Sequence, residues 1–351
     1  MNRLFSKTVQ PDFCGLRECI QRKSNPKRVF FIEFAQDSSV KNALTERFNL
    51  MKDLNVNHPF FFYQKEITLQ KFLGYDTISC CLLPKFPSQI NDKKNEASIS
   101  EDKVASGPIQ NWEDFENYPW PKIADMNLSA LDWLEKELPE NMKCRINVPI
   151  GFYKMLLGYE DMLYMMYDNP SLMKAVFEKL TAVMLDYTRT ISQYSCVGII
   201  WGCDDMGFKT QTFFPPGFIR ANILPMHKSL AEMAHQHGKL YFLHACGNLE
   251  EIMNDLITMV KIDAKHSFED VIVPVTEMKK RYGDRVALLG GVDVDFLCRA
   301  DELALRKRIR EILEICLPGG GYCLGSGNSI ADYVPLDNYL IMLDEGRNFN
   351  C

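Results

Sequence analysis

Leu240, Tyr241, Phe242 and Leu243 form an apolar run that ends in His244, Ala245, Cys246 and Gly247. Strand side chains alternate between faces, so His244 and Cys246 project the same way, and Gly247 lets the chain turn beyond them. Imidazole and thiolate are both zinc ligands, and a thiol near an imidazole is also the start of a cysteine-based active site. The two chemistries need different company, which other segments must supply.

Several apolar runs end in similar fashion. Residues 197–205 close on Cys203, Asp204 and Asp205, residues 261–266 end on His266 with Ser267, Phe268 and Glu269 beyond, and residues 285–294 contain Gly290, Gly291 and Asp293. Asp205, His266 and Glu269 are types that move protons, and of the adjacent pair Asp204 is assigned to substrate while one of the two is free to cap or pair. Glu33 interrupts the apolar run 28–34, where a carboxylate either pairs or contacts a ligand. The glycine-rich stretch 319–330 holds Cys323 and Asn328, and it lacks the Gly-Lys-Ser ending of a phosphate-binding loop.

The elements that position these residues alternate. Strands are expected at 28–34, 76–83, 143–149, 197–205, 240–247, 261–266 and 285–294, and helices at 127–137, 158–167, 171–194, 216–238, 249–259, 274–282 and 300–316. Strands alternating with helices of this length imply parallel βαβ units. Polar residues at successive strand ends fit a (β/α)8 TIM barrel, whose chemistry sits at the C-terminal ends of its strands. A doubly wound sheet is the alternative, but no dinucleotide fingerprint stands early in the chain. Residues 1–25 read as a helical N-terminal extension, residues 57–121 as an insertion, and the polar segment 91–106 within it as a loop or lid. The whole of 1–351 is expected to form one domain.

Bulk properties narrow the partners. A formal charge of −6 over 351 residues offers no basic stripe for phosphates, so nucleic acid is not expected. No run approaches the ~20 apolar residues of a membrane span, and residues 1–10 have no signal-peptide character, so a cytoplasmic protein is expected. The twelve cysteines form no disulfide framework and read mainly as buried thiols. Cys80 and Cys81 are too close to be a metal pair, and Met162, Tyr164, Met165 and Met166 read as core.

Three motifs together resemble the uroporphyrinogen decarboxylase superfamily: His244 to Asn248, Gly290 to Asp293, and Gly325 to Ile330 with Tyr333, Val334 and Pro335 behind. The resemblance spans most of the chain and is weakest over 57–121. It implies the same barrel, and places Asp293 and Asn328 at the pocket. True uroporphyrinogen decarboxylases carry an arginine-rich N-terminal signature for the substrate's carboxylates, whereas residues 30–37 here hold Glu33 and Asp37 and no arginine. A polycarboxylate would meet acid there. The cobalamin-dependent methyltransferase branch resembles the chain better, because its members bind zinc through His-x-Cys and a later cysteine. Asn328 stands where that cysteine is expected; the nearest cysteine is Cys323, and Glu269 is the competing third ligand. The resemblance implies methyl transfer between a corrinoid, carried on a partner protein, and a thiol or small methylated substrate. A homodimer is also compatible with it. The competing readings are a metal-independent decarboxylase or lyase for a small acid, and a barrel that binds without catalysis.

Overall fold

The computed structural model describes residues 5–87 and 106–350. Its frame is seven strands: β1 (Thr77–Ser79), β2 (Lys143–Val148), β3 (Val197–Cys203), β4 (Leu240–His244), β5 (Ala264–His266), β6 (Ala287–Leu289) and β7 (Tyr322–Cys323). They pair in sequence order, each parallel to the next. The helices between them include Pro170–Ser192, Leu224–Gln236, Val275–Tyr282 and Glu302–Cys316.

Residues 30–32 take the place beside β7. Ile32 N–H donates to Leu324 O at 2.9 Å and Leu324 N–H to Phe30 O at 2.8 Å, around a parallel bridge between Phe31 and Leu324. The strand expected at 28–34 is thus a short bridged ribbon. On its other side an Arg28–Asp76 ion pair and a Phe31–Tyr75 edge contact, with centroids 6.2 Å apart, reach the start of β1. The result is a curled, TIM-barrel-like sheet; a fully closed eight-strand ladder, expected from the alternation, is not shown.

Strand periodicity sorts the core into two layers. Ile199, Trp201, Leu240, Phe242, Ala264, Ala287, Leu289 and Cys323 point to the interior, while Ile200, Tyr241, Leu243, Leu288 and Tyr322 pack outward under the helices. Strands covered on both faces read as continuous apolar runs, which is why the sequence shows them so plainly. The helix Phe13–Ile20, capped by Asp12 accepting from Gly15 N–H, sends Phe13, Leu16, Cys19 and Ile20 into the same interior. It plugs the end where the strands begin, since Gly321 N–H donates to Cys19 O at 2.7 Å, just before β7. The opposite mouth is left for chemistry.

Two expectations need qualification. Residues 57–121 hold the helix Phe61–Leu73 and β1, so this stretch carries part of the barrel as well as a connection. Of the expected lid, 91–105 lies outside the described residues. Among the described residues, no helix is long and apolar enough to cross a membrane.

Candidate metal centre

β3 and β4 lie side by side with Cys203 level with His244, which brings Asp205 next to the chain after His244. Asp205 Oδ1 accepts the Cys246 N–H at 2.7 Å and lies 3.7 Å from His244 Nε2. Cys246 Sγ is 3.5 Å from the same Nε2. Ligand atoms of Asp205, His244 and Cys246 all fall within 4.8 Å of one another, the one such metal-capable group among the described residues. The turn after Cys246 depends on Gly247: its φ is +85°, and a Cβ there would sit 2.1 Å from Gly207 O. One carboxylate, one imidazole and one sulfur make a reasonable set for zinc, with a fourth position left for a substrate.

The layer beneath orients the imidazole. His244 Nδ1 lies 2.8 Å from His266 Nδ1, and the Phe34 ring stacks on His244 at 3.8 Å and 12°. A ligating Nε2 must carry a lone pair, so His244 Nδ1–H is the donor and His266 Nδ1 the acceptor; this tautomer follows from the network. His266 then carries its proton on Nε2. The Ser326 backbone favours a proton on His266, although that nitrogen has no partner in full hydrogen-bond geometry. Burial lowers His244 to about 4, with Asp205 pulling the other way, so the neutral imidazole that a metal needs is the form present at neutral pH.

Burial pushes the Cys246 thiol up to about 12, and Asp205 adds to the rise. A cation is therefore needed to draw out the thiolate near neutrality. Lys265 is fully buried below the turn, donates to Ser267 O and, at 3.4 Å, to Ala245 O, and is lowered by burial to about 8. Asn328 Nδ2 donates toward Cys246 Sγ at 3.4 Å. Asn328, at the position where the resemblance implies a cysteine, thus faces the metal-capable sulfur. An Asn328→Cys variant is expected to bind zinc about tenfold or more tightly, read by competition with a chelating dye.

Other expected site residues lie elsewhere. Cys323 is fully buried in the interior cluster beside Cys19 and lies outside the metal-capable group, which corrects its expected role as third ligand; Asp205 stands in that group instead. Its position as the second residue of β7 keeps it at strand depth, below the mouth. Glu269 lines clefts with Phe268 beside the mouth and is also outside the group. Asp204 points the opposite way from Asp205, behind the sheet, where Lys154 Nζ donates to it at 2.7 Å, Tyr153 OH at 3.1 Å, and His227 Nε2 lies 3.4 Å away. Burial opposes its charge, but Lys154 and His227 hold its pKa below the ordinary value. Asp204 therefore anchors the strand end, turned away from the three-donor group. Asp293 caps the helix Val294–Arg299 through Phe296 N–H and also accepts from Asp270 N–H, both at 3.0 Å. His266 is wholly buried with its pKa forced well down by burial, so it is a support for His244 and not a proton donor at neutral pH.

Glu33 is spent on the loop after β7. Its carboxyl oxygens meet Ser326 N–H at 2.8 Å and Ser326 Oγ at 2.6 Å. Burial raises it from 4.5 to about 8, against the pull of Ser326 and Arg145. A carboxyl raised on folding binds a proton that the unfolded chain has lost, so stability falls as pH rises between about 4.5 and 8 and levels off above. Glu33→Gln is expected to flatten that dependence, by up to ~1.4 kcal/mol per pH unit, in denaturant midpoints taken from pH 5 to 9.

The sheet, its plugged lower end and the three-donor group at the C-terminal strand ends define a TIM-barrel-like protein with a metal-capable mouth. Residues 100–349 match the family model described as Uroporphyrinogen decarboxylase (URO-D), and the chain belongs to that family. No curated protein matches it. Among solved structures, a methyltransferase from Methanosarcina mazei is similar over 96% of this chain and 98% of its own, at 16% identity and a TM-score of 0.67. At that identity the likeness is one of fold. A proposed vitamin-B12-independent methionine synthase from Listeria monocytogenes matches over 97% of both chains at 15% identity, with a TM-score of 0.46 that is too loose to support any inference.

Proposed function

We propose that this protein is a methyltransferase that moves a methyl group between a corrinoid on a partner protein and a thiol or small methylated substrate, with zinc at Asp205, His244 and Cys246. The observation that carries the reading is the convergence of those three donors within 4.8 Å at the mouth of a barrel of this family. When bound, zinc supplies the positive charge that keeps a substrate thiol deprotonated for methyl exchange.

The residues of the chain do the rest. His266 and Phe34 hold the His244 ring so that Nε2 faces the mouth. Asp205 Oδ1 ties down the Cys246 backbone N–H while lying 3.7 Å from His244 Nε2. Asn328 donates to sulfur, which favours the charged over the neutral form. Cys246 and Asp205 are only half-buried, so the centre can be reached from outside, as exchange with a carrier protein requires.

The lyase reading loses support from the same geometry. Asp204, Asp205 and His266, its acid and base candidates, are respectively an anchor behind the sheet, a member of the metal-capable group and a buried support. Incubation with methylcobalamin and a simple thiol tests the proposal. S-methylated product that disappears on chelation and returns with zinc supports it; turnover of a small acid untouched by chelation favours the lyase, and the absence of methyl transfer with zinc loaded contradicts the proposal.

A further inference from the structure

We infer that a cavity at the end of the sheet where the strands begin binds a phosphate group, free or as a monoester, through Lys7, Lys27 and Arg347. The cavity lies on the face opposite the metal-capable mouth, and the inference is independent of the methyltransferase reading.

The cavity, of about 610 Å³, opens between the chain that leads into the plug helix, the residues before the 30–32 ribbon and the end of the helix Leu336–Asn348. Asp12 N–H donates to Asp76 Oδ1 at 2.6 Å, just ahead of β1, which fixes the cavity at that end of the sheet. Its wall holds four cations, Lys7, Lys27, Arg28 and Arg347, against one acid, Asp12. Arg28 is balanced by its ion pair with Asp76. Among the described residues, the ammonium groups of Lys7 and Lys27 have no hydrogen-bond or ion-pair partner. On a chain of formal charge −6, this is a local excess of positive charge.

Arg347 is the buried member of the set. It is 7% exposed, and its guanidinium lies 3.3 Å from the Phe5 ring centroid. Nη2 donates to Phe72 O at 3.1 Å and Nη1 to Lys7 O at 3.5 Å, both neutral acceptors, while Nε is buried without a partner. Asp344, the acid whose charge acts on it, is already paired with Arg306 at 3.0 Å and accepts from Ser6 Oγ at 2.6 Å. Burial lowers Arg347 to about 10, so the guanidinium is still charged at neutral pH. A buried guanidinium short of a counter-ion is costly, and an oxyanion supplies both the charge and the acceptors. Three unbalanced cations against the single Asp12 carboxylate favour a dianion over a monoanion, and a phosphate monoester carries about −1.5 to −2 charge near neutrality. The volume lies in the range of small-molecule sites, and Val9 and Phe349 supply apolar wall for an organic group on the phosphate.

Calorimetric titration of the full chain in chloride buffer with inorganic phosphate, phenyl phosphate and phenol tests this. Phenyl phosphate is expected to bind at about one site per chain, at least about tenfold more tightly than phenol. Tighter binding of phenyl phosphate than of inorganic phosphate marks an ester as the ligand, and equal binding marks the free anion. Arg347→Met should weaken the phosphate-bearing probes about tenfold or more. The double variant Lys7→Ala with Lys27→Ala changes only exposed side chains, so it should fold and weaken the same probes if the arginine variant does not fold. Cys246→Ser should leave their affinity unchanged, which separates this cavity from the metal-capable centre. No binding of either phosphate, affinity unchanged in the double lysine variant, or binding lost in Cys246→Ser overturns the inference.

Discussion

Cys246→Ala is expected to abolish methyl transfer, by about a thousandfold or more, while leaving the protein folded. The side chain stands on the turn after β4, half-buried, and its sulfur meets His244, Asn328 and Ser267, at 3.5, 3.4 and 3.9 Å, with Asp205 beside it. Removing it takes away the one thiolate donor of the centre and leaves a carboxylate and an imidazole, which hold zinc far less well. Loss of several kcal/mol of charge stabilisation corresponds to a rate loss of about that size. The barrel interior is untouched, so thermal unfolding should move little. A variant that retains zinc and turns over at the wild-type rate would place the chemistry elsewhere.

The largest stability effect should come from behind the sheet. Lys154 and Asp204 are both fully buried and 2.7 Å apart, and Lys154 also donates to the carbonyl of Asp205. Lys154→Met leaves the Asp204 carboxylate buried with only Tyr153 and His227, a loss of about 3–5 kcal/mol. Because the same ammonium fixes the backbone of a metal-capable residue, zinc affinity should fall with stability. The double variant Lys154→Met with Asp204→Leu should recover part of the loss, since two apolar side chains replace a broken pair. Urea unfolding of the single and double variants measures both effects; a single variant within ~1 kcal/mol of wild type would mean the pair is not holding the strand end.

How far the sequence carries the fold follows from what each segment buries. β3 and β4 are covered on both faces, so their apolar runs announce both the strands and the residues at their ends. β7 is two residues long and residues 30–32 form only a bridged ribbon, so their boundaries were not legible from periodicity. At the site, strand parity correctly put His244 and Cys246 on one face. It also held the answer for the pair 204 and 205: alternate residues must face opposite ways, so Asp205 joins Cys246 and Asp204 turns to Lys154. Cys323 misled because resemblance supplied the residue type and not its depth. The pairing of His244 with His266 comes from neighbouring strands in register and is not visible in either segment alone.

Zinc binding by Asp205, His244 and Cys246 decides between the readings of this site. Metal analysis of protein purified without chelator, for the wild type and for His244→Ala, tests it most directly. About one zinc per chain in the wild type, and its loss in the variant while circular dichroism stays the same, is the predicted result. A wild type that neither carries zinc nor takes it up, or a folded His244→Ala protein that binds it equally well, would contradict the account.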